Sequence, residues 1–194
     1  ECIFPEEPME IVRAETVDSA PIGTTMFVLG YKCKPASGLE NLRKELLATL
    51  TLQVLVHITS PLYQEMLKEQ LINETFSVEV FNGDDFFVAM FEGESNDPYA
   101  VRERIFAAIA DAAKHGLNET LFENSRKNAY GKLIMKFNNV ESVANMLINA
   151  AMSNVTPFDM VNLLSSLTIA EANRWLQEEL LPQQATLSIM KNKD

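Results

Sequence analysis

The stretch FSVEVFNGDDFFVAMFE, Phe76 to Glu92, constrains the fold more than any other part of the sequence. Phe76, Val78 and Val80 alternate with Ser77 and Glu79, which is the two-residue period of a strand with one buried face. A second run rich in β-formers follows, Phe86 to Glu92, and Asn82-Gly83-Asp84-Asp85 lies between them. Asn-Gly between β-forming runs is a strong local signal for a hairpin. Two further runs read as strands, Thr24–Cys33 (TTMFVLGYKC) and Ala185–Lys191 (ATLSIMK). All four are expected in one sheet.

The remaining segments read as helices. Leu39 to Ile58 is expected as a long helix, with Leu39, Leu42, Leu46, Leu50, Leu52 and Val56 at near-helical spacing and a second half apolar almost all round. Such a helix is a buried one. Ser60-Pro61 restarts a short helix to about Leu71, which runs into the Phe76 strand with almost no turn between. Asp97-Pro98 opens a helix with a buried stripe of Val101, Ile105, Ala108, Ile109 and Ala112, ending at Gly116. Further starts are read at Asn118, at about Val140, at Thr156-Pro157 and at Thr168-Ile169-Ala170-Glu171, a capping-box pattern stopped by Pro182. Clustered strands with segregated helices indicate an α+β domain whose largely antiparallel or mixed sheet is covered by helices on one face. Residues 1–20 hold several acids with Pro5 and Pro8 and no sustained period, and read as an extended lead-in. Residues 21–194 read as a single domain.

The net charge of −11 disfavours nucleic acid and anionic membranes as partners. No apolar run is long enough for a membrane span, and the first residues lack the pattern of a secretory signal. With only Cys2 and Cys33, there is no disulfide framework; a reducing, cytoplasmic setting is expected. The lack of an initiator Met suggests a chain cut from something longer.

Chemistry is sparse. His57 is expected inside an apolar helix and His115 in the last turn of another, and neither has a His or Cys partner at metal-ligand spacing. No phosphate-binding Gly-rich loop and no Gly-x-Ser-x-Gly elbow occurs. The acids of FEGESNDP read as a polar loop leading to a helix cap, and Arg126 with Tyr130 as a cation–π or stem contact on a solvated face. No catalytic residue and no metal ligand is assigned.

The ordered set LVHITSPLYQEMLKEQLI, FSVEVF, FFVAMFEGESNDP, the helix start at Gly116–Phe122, and SLTIAEANRWLQEELLPQQATLSIM resembles the later, non-catalytic half of pitrilysin/insulinase-type zinc metallopeptidases. That family includes the mitochondrial processing peptidases. The likeness is to its bacterial Firmicute-type branch, through Glu7-Pro8, Pro21 and Gly30-Tyr31-Lys32, and covers about residues 7–191. The resemblance implies two similar halves closing like a clamshell on a peptide. The zinc-bearing half carries His-x-x-Glu-His on its first long helix; the matching helix here has Arg43, Lys44 and Glu45 and no ligand set. Zinc is therefore expected in a partner half, in cis or in trans, and none in this chain. Many such second halves carry an Arg on the Ser-x-Leu-Tyr helix and a Tyr at the strand entrance to hold the substrate carbonyl. The matching positions here, near Met66–Leu67 and Asn73–Thr75, have neither, and Lys68 is the nearest cation. What remains for contact with unfolded peptide is Asn73, Thr75 and Phe76. The alternative implied by the same likeness is a structural, partner-binding pseudo-peptidase module with no proteolytic role.

Overall fold

The computed structural model describes residues 8–83 and 85–193. Five strands form one sheet in the order β1-β5-β2-β4-β3, where β1 is Glu15–Ala20, β2 Met26–Cys33, β3 Ser77–Asn82, β4 Phe87–Glu94 and β5 Ala185–Asn192. All pairs are antiparallel except β1 with β5, which run parallel with Val17 opposite Ile189. The four expected strands thus share one sheet, each within two residues of its expected bounds.

One face of the sheet is dry. Phe27, Leu29, Tyr31 and Cys33 of β2, Phe87, Ala89 and Phe91 of β4, and Leu187 and Ile189 of β5 are buried in alternation. Tyr31 sits edge-on to Phe91 at 6.1 Å and to Phe106 at 6.3 Å between ring centroids. Against this face lie the helices α1 (Gly38–Leu55), α3 (Pro98–His115) and α7 (Ile169–Glu179). α2 (Pro61–Lys68) packs on α3, while α4 (Glu119–Lys136), α5 (Val140–Met152) and α6 (Pro157–Ser166) extend the helical layer beyond α1. The opposite face of the sheet, built from Val28, Gly30, Lys32, Val88, Met90, Thr186 and Ser188, carries no helix among the described residues.

The helix starts follow their caps. Ser60 accepts from Tyr63 N–H, Asp97 from Ala100 N–H and Asn118 from Leu121 N–H, at 3.2, 3.0 and 2.9 Å. Thr156 with Asp159 and Thr168 with Glu171 each close a reciprocal capping box, satisfying two otherwise orphaned N–H groups per helix. The expected stripe of α3 is buried at Val101, Ile105, Ile109 and Ala112, and half-buried at Ala108.

Three local expectations need correction, and a fourth gains detail. Glu15–Ala20, expected within the lead-in, is a strand. It is an edge strand exposed on both faces, so it carries no apolar alternation to reveal it. α1 ends at Leu55, so His57 lies in the turn beyond it, where its Nδ1 meets Thr59 Oγ1 at 2.8 Å; Leu39 and Ile58 are exposed. The expected hairpin is present between β3 and β4. The last strand pair is Asn82 with Phe87, and Gly83 N–H donates to Phe86 C=O at 2.9 Å; Asp84 lies outside the described residues. Finally, the hydrogen-bond partners of the Arg126 guanidinium lie elsewhere than on Tyr130. It donates to Glu123 at 2.8 Å and to the carbonyls of Leu164 and Ser165 at 3.2 Å, tying α4 to the C-terminal turn of α6. Those carbonyls have no partner further along the helix, which is why a cation is favoured there.

Candidate functional site

The abrupt passage from α2 into β3 is made by two compact devices. α2 stops because Gln70 takes a left-handed conformation (φ 57°), letting Leu71 N–H reach back to Met66 C=O at 2.9 Å. Asn73 then folds the chain on itself. Its Oδ1 accepts from both Thr75 N–H and Thr75 Oγ1, at 2.9 and 2.6 Å. Its Nδ2 donates to Glu94 Oε2 at 2.7 Å, and Glu94 N–H donates to Thr75 Oγ1 at 3.0 Å. The result is a closed four-bond knot joining the entrance of β3 to the exit of β4.

The three residues singled out from sequence thus come together in space but differ in accessibility. Asn73 and Thr75 are exposed at the corner. Phe76 is buried between Phe27 (6.3 Å between ring centroids) and Tyr63 (6.2 Å). The family-matched position Met66 is fully buried, Leu67 is half-buried, and Lys68 is exposed on the last turn of α2.

Two open clefts flank the corner. One, of about 310 Å³, is lined by Gln70, Asn73, Glu74, Glu94 and Asn96 among others. The second, of about 450 Å³, continues onto the helix-free face of the sheet and includes Thr75, Glu92, Met26, Val28, Ser188 and Met190. Glu79 and Glu92 stand on that same face, with Ser77 Oγ donating to Glu92 Oε1 at 3.1 Å. The corner is therefore acidic, with an apolar floor of methionines and valine. Asp97 caps α3 as the sequence indicated, and the loop has further bonds that sequence spacing did not show: Glu94 belongs to the knot, and Ser95 Oγ accepts from Asp97 N–H at 3.0 Å.

No nucleophile emerges. The Cys33 thiol is buried on the helix side of β2, and burial, helped by the nearby Glu179 carboxylate, pushes its pKa up to about 12. A thiol so far above neutral pH has almost no thiolate to offer. His115 pairs with Asp111 at 2.9 Å on an exposed helix end. Among the described residues, no cluster of three or more His, Cys, Asp or Glu side chains is placed to hold a metal ion. Also among them, no helix is long and apolar enough to cross a membrane.

The sequence profile described as Peptidase M16 inactive domain matches residues 4–129, well over half of the chain. This chain belongs to the M16 inactive-domain family. The chain is 27% identical over 150 residues to the uncharacterized zinc protease YmfH of Bacillus subtilis, covering 77% of this chain and 35% of that protein. Its fold superposes with a TM-score of 0.92 on an M16-like peptidase from Alicyclobacillus acidocaldarius, at 24% identity, over 98% of this chain and 46% of that one. A protease from Helicobacter pylori gives a TM-score of 0.79 at 16% identity, over 97% and 46%. The chain thus spans about a third of the Bacillus relative and just under half of the two solved proteins. The resemblance read from the ordered motifs and the α+β peptidase-half architecture are both borne out.

Proposed function

We propose that this M16 inactive domain works as the non-catalytic half of a zinc peptidase, closing a chamber against a zinc-bearing half and contacting unfolded peptide. The observation that carries the reading is the family match joined to a fold shared, end to end, with about half of a longer M16-like peptidase. Zinc chemistry belongs to the partner half, in cis or in trans, and residues 21–194, with β1 completing their sheet, act as one unit in the cytoplasm.

The peptide contact is assigned to the outer edge of β3 and the Asn73–Thr75 corner. β3 pairs on one side only, with β4, so its other edge can add an extended peptide through main-chain hydrogen bonds. Glu74, Glu79, Glu92 and Glu94 cluster around this edge and favour basic peptides, an attraction that salt weakens. Phe76 contributes by fixing the backbone from beneath, because its ring is committed to Phe27 and Tyr63.

A second reading has its own support. The side-chain hydrogen bonds of Asn73 are spent within the knot, as expected of a purely structural module that binds a partner half without touching substrate. Amide NMR of the chain titrated with an unstructured basic peptide separates the two. Shifts along Ser77–Asn82 and at Asn73–Thr75, diminishing with salt, support the peptide-contacting half. Shifts absent there at saturating peptide favour the structural module.

A further inference from the structure

The outer face of α4 combines three features that the fold itself does not use. The first is charge. From Asn124 to Val140 the chain has four cations, Arg126, Lys127, Lys132 and Lys136, and no acid, although acids outnumber cations 27 to 16 overall. Arg126 is committed to Glu123 and to α6. The three lysines are exposed, and none makes a hydrogen bond or salt bridge among the described residues. The second feature is apolar surface: Met135 is 70% accessible and Ile134 41%. The third is a glycine. Lys127, Gly131 and Met135 recur every four residues, so they form one ridge of the helix, and Gly131 leaves a gap in it. A Cβ built on Gly131 would meet nothing within 4 Å, and its φ is not positive, so neither crowding nor backbone conformation calls for glycine there. Glycine inside a helix is destabilising relative to alanine, so within the chain alone this residue is a pure loss.

We propose that this face docks an acidic amphipathic helix of a protein partner, its backbone crossing α4 at Gly131. The distance between packed helices is set by the side chains at their crossing, and a glycine there permits the closest approach. The partner's apolar residues then cover Met135 and Ile134. Its carboxylates reach Lys127, one turn before the gap, and Lys132 and Lys136 on the neighbouring ridge. Charge complementarity selects an acidic occupant. It also selects a narrow one. Screening limits the reach of a charge to about 8 Å at physiological salt, so a single helix feels mainly these lysines. A broad anionic surface such as a membrane extends past them to exposed Glu119 and Glu141 and to the rest of a chain with a net charge of −11, and is repelled there. The opposite face of α4 is already committed, with Phe122, Ser125 and Leu133 buried against the body of the protein, so docking on the outer face requires no rearrangement of the fold.

This inference stands apart from the proposed function, which assigns a basic peptide to the β3 edge and the Asn73–Thr75 corner. The test is amide NMR of the chain titrated with a designed amphipathic helix of about 18 residues, with Glu on its polar flanks and Leu and Ala on its apolar face, beside the same helix with Lys in place of Glu. The Glu helix is expected to shift residues 124–136 and not Asn73–Thr75, with an affinity that falls as salt is added; the Lys helix should leave 124–136 unmoved. Lys127→Glu/Lys132→Glu should weaken binding at least about tenfold, and Lys127→Gln/Lys132→Gln serves if the acidic pair unfolds. Gly131→Leu fills the gap with a better helix former in open space, so its melting temperature should rise while binding weakens at least about tenfold. A glycine with no docking role would give the first effect without the second. The proposal is overturned if the Glu helix leaves 124–136 unmoved, if the Lys helix moves them equally, or if the folded variants bind as the wild type does. Phosphatidylserine vesicles that shift 124–136 where the Glu helix does not would overturn it in favour of a lipid surface.

Discussion

Gly93 lies so close to Phe76 that a Cβ built on it would stand 3.0 Å from the Phe76 Cα and 3.3 Å from its backbone nitrogen. The obstacle is main chain, which cannot swing aside as a long side chain can. Phe76 is in turn held by Phe27 and Tyr63, so the entrance of β3 has little room to retreat. Gly93→Ala is expected to cost about 1–3 kcal/mol, the usual range for forcing extra volume into a packed site. Chemical denaturation with an unchanged m-value checks this; a variant as stable as wild type would show that the corner can shift.

The Asn73 knot makes a graded prediction. Asn73→Ala removes the acceptor for Thr75 and the donor for Glu94, and should destabilise by roughly 1–2 kcal/mol, given about 0.5–1.5 kcal/mol net per hydrogen bond and partial solvent replacement. Asn73→Asp keeps the acceptor for Thr75 but sets a carboxylate against Glu94, so its loss should shrink as salt is added. Equal salt response of the two variants would argue against the contact with Glu94.

Gln70 holds φ at 57°, where an L-residue with a Cβ is strained and glycine is not. Gln70→Gly should raise stability by about 0.5–1 kcal/mol, visible as a rise of roughly 1–4 °C in the melting temperature of a chain this size. A lowered melting temperature would mean that the unfolded-chain entropy of glycine outweighs the relieved strain.

The cap of α7 gives a pH dependence. Burial opposes the charge on Glu171, but hydrogen bonds from Arg43 and from Thr168 outweigh it and hold the carboxyl below its usual value. A carboxyl depressed in the folded state contributes stability above its unfolded pKa and loses it as pH falls through the folded one. Between about pH 5 and about pH 3 the wild type should therefore lose more stability than Glu171→Gln, whose amide still accepts the capping bond. Parallel melting curves for the two proteins over that range would contradict this.

What the sequence revealed follows from where its signals come from. β2 through β5 each bury one face, so their alternation was readable, and every capped helix start carried the short polar residue its orphaned N–H groups require. β1 was not readable, because a strand exposed on both faces is under no pressure to alternate. Arg126 misled for a different reason: its partners are carbonyls 38 and 39 residues away, and a periodicity argument sees only its own helix. At the candidate site, the sequence picked out residues that share one corner but not the bonding inside it. The contact between Asn73 and Glu94 depends on the pairing of β3 with β4, which local spacing does not reveal.

The central claim is that this chain is the inactive half, so its own hydrolytic capacity is the most direct test. The purified chain is incubated with zinc and an unstructured basic peptide, dialysed, and assayed for bound metal, while the peptide is followed by mass spectrometry. The account predicts intact peptide and no tightly held zinc, because the described residues offer no ligand cluster and the Cys33 thiol is buried and protonated near neutral pH. About one equivalent of retained zinc with chelator-sensitive cleavage would contradict it.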